Sequence, residues 1–309
     1  MSEKLRLAML GMIPGNGHPW SWSALINGYD TVRMAECPYP VIPTYLATRP
    51  NEPMTDAYVT HIWTDDPADA PEVAAAVRIE HIVSAPEDVI GHVDGVIISA
   101  DDGNDHVRRA RPFVEAGLPV FVDKPLATNL EDLRQFSDWV AGGSRILSSS
   151  GMRYAPELEQ LAGNWRWVAA FTPKSWERYG IHLLEPAARI LGLGFENVRL
   201  TATGASSVAH ITHCSGAILT LTAMDGAAGG AFTFHAHGEK DYRSVTLTDT
   251  CTAFRRQLKS VIAWMREGTE PHTFSETQEL MAVLIAGVQS RENDGRPVEV
   301  AAVLRQLES

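Results

Sequence analysis

Apolar positions in the first 125 residues come in short runs separated by amphipathic stretches, an alternation that predicts a sheet wound with helices. Leu5–Leu10, Ala57–Trp63, His81–Val83, Val93–Ser99 and Leu118–Val122 read as strands. The cores of the last two, Val96–Ile98 and Val120–Val122, are unbroken apolar runs, as strands of a parallel sheet covered on both faces must be. Trp20–Ile26, Pro71–Val77, Pro86–Ile90 and Val107–Ala116 read as the helices between them. Asn129 caps one more helix, and Arg145–Ser148 supplies a last strand. Between Asn27 and Asp56 the pattern lapses into Pro38, Pro40, Pro43, Pro50 and Pro53, so residues 27–56 read as an insertion.

After Ser148-Ser149-Ser150-Gly151 the texture changes. Val198–Thr203, Ser207–Thr212, Ala217–Thr222, Gly230–His235 and Ser244–Leu247 are β-branched runs between Gly, Ser and Asp turns, which predicts an antiparallel meander. Phe254–Arg266 and Ser275–Ser290 predict two closing amphipathic helices. The expected fold is an α/β N-terminal Rossmann domain, a doubly wound parallel sheet over residues 1–149, plus an α+β C-terminal domain with a largely antiparallel open sheet over 150–309. One face of such a sheet needs a cover, so a homodimer or homotetramer through the C-terminal sheet is expected.

Composition narrows the partners. A net charge of −12 and a pI near 5.4 argue against nucleic acid or an anionic membrane, both of which call for a basic footprint. No apolar run approaches a membrane span, and Met1–Leu10 reads as a first strand, not a signal peptide, so a cytoplasmic protein with a small polar substrate is expected. Cys37, Cys214 and Cys251 form no paired spacing, and His210, His213, His235 and His237 fall in strand-like runs, so no metal is expected.

Candidate chemistry sits where strands end. Gly11, Met12, Ile13, Gly15 and Gly17 make a glycine-rich turn between the first strand and helix, where backbone N–H groups can meet a diphosphate. The spacing is GxxxGxG, not GxGxxG, and a loop that simply needs glycine torsions shares it. Asp66 before Pro67 reads as a helix cap, which leaves Asp65 at its strand's end to accept ribose hydroxyls. A carboxylate there repels a 2′-phosphate, so NAD is preferred over NADP. Ser99, Ala100, Asp101 and Asp102 stand at the carboxyl end of the next strand, facing a nicotinamide ribose or solvent. Asp123-Lys124-Pro125 ends the strand after that and aims an ammonium at the ligand crevice, unless it is a surface turn.

In this order the residues resemble the Gfo/Idh/MocA family of nicotinamide-dependent oxidoreductases. Asp123-Lys124-Pro125 looks like the family's [ED]KP motif, and His106 matches a histidine often found ahead of that strand. Gly180-Ile181-His182 with Glu185 looks like its GxHxx[DE] segment, and Arg153 with Pro156 resembles its RxxP. The resemblance implies hydride transfer between a secondary alcohol of a sugar or cyclic polyol and the nicotinamide. It makes Lys124 and His182 the catalytic pair, with either as base. It also places His106, Asp123, Lys124 and Pro125 with the turn, Asp65 and residues 99–102 among the cofactor contacts. Arg153, Trp176 and Arg178, with Lys124 and His182, are the candidate substrate contacts. Arg178 stands where the resemblance expects an aspartate four residues before the histidine. Two other readings share these residues: oxidation followed by elimination across a glycosidic bond with the cofactor regenerated, and a non-catalytic dinucleotide sensor.

Overall fold

A computed structural model describes residues 3–227 and 232–307, so residues 230 and 231 of the expected strand at 230–235 lie outside the described residues. The chain divides into two compact units, the first made of residues 1–123, 139–148 and 254–271 and the second of 124–138, 149–253 and 272–309.

In the first unit the strands are β1 (Leu5–Leu10), β2 (Ala57–Trp63), β3 (His81–Ile82), β4 (Gly95–Ile98), β5 (Val120–Val122) and β6 (Ile146–Ser148). All pair in parallel, in the order β3-β2-β1-β4-β5-β6. The winding reverses between β1 and β4, the switch point at which a doubly wound sheet opens a crevice for ligands. Every residue of β4 and β5 is buried, which accounts for their unbroken apolar runs. The helices are α1 (His18–Asn27), α2 (Thr31–Met34), α3 (Val41–Leu46), α4 (Asp69–Val77), α5 (His106–Glu115) and α6 (Leu130–Ala141), the last running on from the second unit. Asn129 accepts the Asp132 N–H at 2.9 Å and caps α6, as expected.

The segment at 27–56 holds two short helices, and one local expectation, at Asp66, is corrected. Residues 27–56 carry α2, capped by Asp30, and α3, of four and six residues, too short to print a helical period on the sequence. Asp66 is no helix cap. Its side chain accepts the Ala68 N–H at 2.9 Å in a local turn, and α4 starts at Asp69.

The second unit contains β7 (Trp167–Pro173), α7 (Trp176–Tyr179), α8 (Ile181–Leu191), β8 (Phe195–Thr203), β9 (Ser206–His213), β10 (Ile218–Met224), β11 (Phe232–His237), β12 (Tyr242–Leu247), α9 (Thr250–Glu267), α10 (Phe274–Glu292), β13 (Val298–Glu299) and α11 (Val300–Arg305), with α9 running into the first unit. The sheet order is β12-β11-β7-β10-β9-β8-β13. The expected meander is therefore interrupted. β7 lies between β11 and β10, antiparallel to one and parallel to the other. Its sequence, WVAAFTP, is apolar on both faces and lacks the alternation that marks its neighbours. Along β10 and β7 inward residues alternate with half-exposed ones, and α10 packs against β8. No helix among the described residues is long and apolar enough to cross a membrane.

Candidate active site

In the first unit, β1 passes through the glycine turn into α1. Gly11 and Gly15 adopt positive φ (98° and 81°), conformations that side-chain-bearing residues rarely take. A Cβ on Gly11 would lie 3.1 Å from Arg109 Nη1 and 3.2 Å from the Ala100 Cβ, so a side chain there would have to displace its neighbours. Gly17 is required by packing instead, since a Cβ would come 2.5 Å from Ile42 Cδ1 and 2.8 Å from Tyr39 Cδ2. Both neighbours belong to the segment at 27–56, which thus closes over the turn. Burial pushes the Tyr39 phenol pKa up, and the Asp69 charge adds to it.

Asn16, buried inside the turn, ties it to two other strand ends: its Nδ2 donates to Ser99 O at 2.8 Å and to Asp123 Oδ2 at 3.4 Å. Ser99 Oγ donates to Gly11 O at 2.7 Å. His106 is fully buried with Nε2 2.7 Å from Ala100 O, so it shapes the loop after β4. Asp101 is buried, whereas Asp102 is exposed and accepts the Asn104 N–H at 3.0 Å. Asp123 is buried, with the His18 Nε2 3.3 Å from Oδ2, and His18 stacks on Trp22 at 4.1 Å. Asp65 sits just beyond β2. Its Oδ2 accepts the Met12 N–H at 2.9 Å, and Arg109 reaches both its oxygens at 2.6 and 3.3 Å.

These residues fit the adenosine and diphosphate of a dinucleotide. The turn lies at the switch point and depends on a glycine whose Cβ space is filled, while Asn16 Oδ1 takes the first amide of α1, the His18 N–H, at 2.8 Å.

In the second unit, Lys124 and His182 converge on one ring. Lys124 Nζ lies 4.9 Å from the centre of the Tyr179 ring, and the His182 ring meets it edge-on at 4.7 Å. Lys124 and His182 are 2% and 6% exposed, and Phe232 stands 5.4 Å from the histidine. The Lys124–Pro125 bond is cis. Lys174, at a φ of 73°, donates to the Tyr179 hydroxyl at 2.8 Å.

Arg178 stands where the aspartate was expected, its N–H donating to Ser175 Oγ at 3.4 Å, and Glu177 is paired with Arg291. Ser150 takes the part instead. Its Oγ lies 2.6 Å from His182 Nδ1 and accepts the Met152 N–H at 3.0 Å, while its own N–H donates to Glu185 Oε1 at 3.1 Å. The hydroxyl proton meets no other acceptor among the described residues, so it goes to Nδ1. That sets neutral His182 as the Nε2–H tautomer.

Arg153 is forked between Glu185 at 3.0 Å and Glu276 at 2.5 Å, all in this unit. Burial lowers its pKa, but the two carboxylates outweigh that and hold it above the ordinary value. Burial likewise pushes the Glu276 carboxyl up, and Arg153 brings it below the usual range. Arg153 therefore supports α8 through Glu185 and is no open anion receptor. Trp176 is fully buried and donates its indole N–H to Leu284 O at 3.0 Å, with Gly287 and Gly180 packed against it. It is a core residue, not the substrate contact that was expected. Ser150, Tyr179 and Lys174 went unnoticed in the sequence. Tyr179 directly precedes Gly180-Ile181-His182, and Ser150 lay in a serine run that reads equally well as a linker.

Comparisons with known proteins bear on these two groups of residues. Residues 41–150 match the Gfo/Idh/MocA family model, described as an oxidoreductase family with an NAD-binding Rossmann fold. No curated protein sequence matches the chain. Among solved structures, myo-inositol 2-dehydrogenase from Lactobacillus plantarum is similar at a TM-score of 0.77 and 15% identity, covering 96% of this chain and 99% of that one. A probable dehydrogenase from Thermotoga maritima follows at 0.75 and 16%, covering 97% and 100%. An oxidoreductase from Agrobacterium radiobacter, solved with NAD+, L-tartaric acid and magnesium, follows at 0.73 and 13%, covering 97% and 99%. At these identities the likeness is one of fold, and it extends over both units. The family match over residues 41–150 contains Asp65, His106 and the Asp123-Lys124-Pro125 triplet.

Proposed function

We propose that the protein oxidises a secondary alcohol of a sugar or cyclic polyol, or reduces the corresponding ketone, with a nicotinamide dinucleotide. The observation that carries this reading is the convergence of Lys124 and His182 on the Tyr179 ring, two buried proton-handling side chains within one cluster. Turn residues 11–17, Asp65 and residues 99–102 would hold the adenosine and diphosphate, with His106 and Asn16 shaping their loops. When bound, the nicotinamide supplies the hydride chemistry. Asp65 taken by itself favours NAD.

Proton handling falls to the chain's own residues. A carbinol must lose its hydroxyl proton as hydride leaves, and a ketone must gain one. Lys124, as an ammonium, offers hydrogen bonds to the reacting oxygen and stabilises negative charge there. The Nε2–H of neutral His182 can hydrogen-bond that oxygen but has no lone pair there to take a proton, so in oxidation the carbinol proton passes to Lys124 in its neutral form, and in reduction the Lys124 ammonium returns it. Five solved structures of like fold are named inositol dehydrogenases, one of them provisionally, which supports a polyol as the substrate class. Tyr242, His237, Trp167 and Ile218 form an exposed row across β12, β11, β7 and β10, which supports pairing of two copies through this sheet.

The test is turnover of an inositol, aldose and sugar-acid panel by wild type and Lys124→Ala. Loss of the ammonium is expected to lower kcat by about 10²–10³ on whichever substrate is active. An unchanged kcat removes Lys124 from the reaction.

A further inference from the structure

The acid at the end of β2 does not face its ligand alone. Arg109, on the second turn of α5, places Nη2 2.6 Å from Asp65 Oδ1 and Nη1 3.3 Å from Oδ2. Its Nε donates to Asp105 Oδ2 at 2.7 Å, and Asp105 in turn accepts from Arg108 at 2.6 and 2.7 Å. Two carboxylates and two guanidiniums thus form a chain of zero net charge. Burial raises the Asp105 pKa, but the two arginines more than offset it, and it lies below its ordinary value.

Resting on the dinucleotide-dependent function proposed above, we infer that Arg109 is the residue that sets cofactor specificity, and that it lets the site accept the 2′-phosphate of NADP as well as the hydroxyl of NAD.

Three observations carry this. The first is position: Arg109 Nη1 is 3.1 Å from where a Cβ on Gly11 would stand, so the guanidinium lies against the glycine turn and not out on the helix surface. The second is charge: a 2′-phosphate is excluded by an uncompensated carboxylate, and here the cation in contact with Asp65 cancels its field at the range of a bound phosphate. The third is the supply of donors and acceptors. A guanidinium has five N–H groups, of which three are spent on Asp65 and Asp105, leaving two without a partner among the described residues. Those two suit phosphate oxygens, which only accept. Asp65 Oδ1, which takes a single hydrogen bond, keeps a lone pair for a ribose hydroxyl. The arginine side chain is 11% exposed and held from two sides, so little ordering remains for a ligand to impose.

The test needs no substrate. Titrate the protein with NADH and with NADPH, following tryptophan quenching and energy transfer to the dihydronicotinamide, for wild type, Arg109→Gln and Arg109→Lys, with circular dichroism melts to confirm folding. Wild type is expected to bind the two nucleotides with Kd values within about tenfold of each other, and Arg109→Gln to weaken NADPH by about 10–100-fold while moving NADH by less than about threefold. Arg109→Lys, which keeps charge but loses the fork, should fall between them. The inference is overturned if wild type binds NADH and not NADPH, or if Arg109→Gln weakens both nucleotides equally, which would make the arginine a structural support for the turn. If neither nucleotide binds, the dinucleotide-dependent function fails with it.

Discussion

Replacing Ser150 with alanine tests the geometry around His182 most sharply. The change removes one hydroxyl that serves three purposes: it sits 2.6 Å from His182 Nδ1, it accepts the Met152 N–H at 3.0 Å, and through that bond it caps the 3₁₀ turn Gly151–Tyr154. Ser150 is fully buried, so water does not readily replace it. Leaving the Met152 N–H without its acceptor costs about 1–3 kcal/mol of stability. The larger effect is on the ring. Without Oγ, Nδ1 loses the contact that sets its protonation, and a displaced or wrongly protonated imidazole lowers turnover by about 10–100-fold. Nitrogen-15 NMR of the imidazole reads the tautomer directly. Wild type is expected as Nε2–H at neutral pH, and Ser150→Ala as a mixture, with kcat falling more than KM rises. A wild-type ring protonated at Nδ1, or a variant with wild-type turnover, would refute the assignment.

Arg153→Met should destabilise the fold by about 3–5 kcal/mol, because it leaves Glu185 buried without its cation. The pH dependence has a definite sign. Arg153 holds the Glu276 carboxyl below its ordinary range, so its contribution is present above the unfolded-state pKa and is lost as pH falls through the folded one. Wild-type stability should therefore decline as acid is added, and the difference between wild type and variant should narrow, as urea denaturation at a series of pH values would show. Gly287→Ala would press a Cβ to 2.6 Å from Trp176 Nε1, and should cost about 1–3 kcal/mol in the same assay while leaving nucleotide binding intact.

What could be read in the sequence follows from where the physics is local. β4 and β5 were legible because a strand buried on both faces must be apolar throughout, and their carboxyl ends delivered Ser99 and Asp123-Lys124-Pro125 to the expected places. β7 was not, since its apolar residues fall on both faces and its parallel pairing with β10 is a long-range choice. Asp65 was legible as an acid at a strand end, whereas its partner Arg109 lies 44 residues on and is brought there by the winding of the sheet. Ser150 illustrates the same limit. A serine in a run of three reads as a linker, and only the packing of α8 brings its hydroxyl to His182. Trp176 was misjudged because an indole beside charged residues looks the same in sequence whether it stacks on a ligand or fills a core.

The central claim is that dinucleotide-dependent hydride chemistry occurs on a polyol or sugar hydroxyl with Lys124 in contact with the reacting oxygen. The most direct measurement is the absorbance of reduced nicotinamide during incubation of wild type and Lys124→Ala with inositols, aldoses and sugar acids. At least one wild-type reaction should yield one reduced nicotinamide per alcohol oxidised, and the variant should lose it. Nucleotide binding with no turnover of any panel member, or consumption of a glycoside without net reduced nicotinamide, would contradict the account.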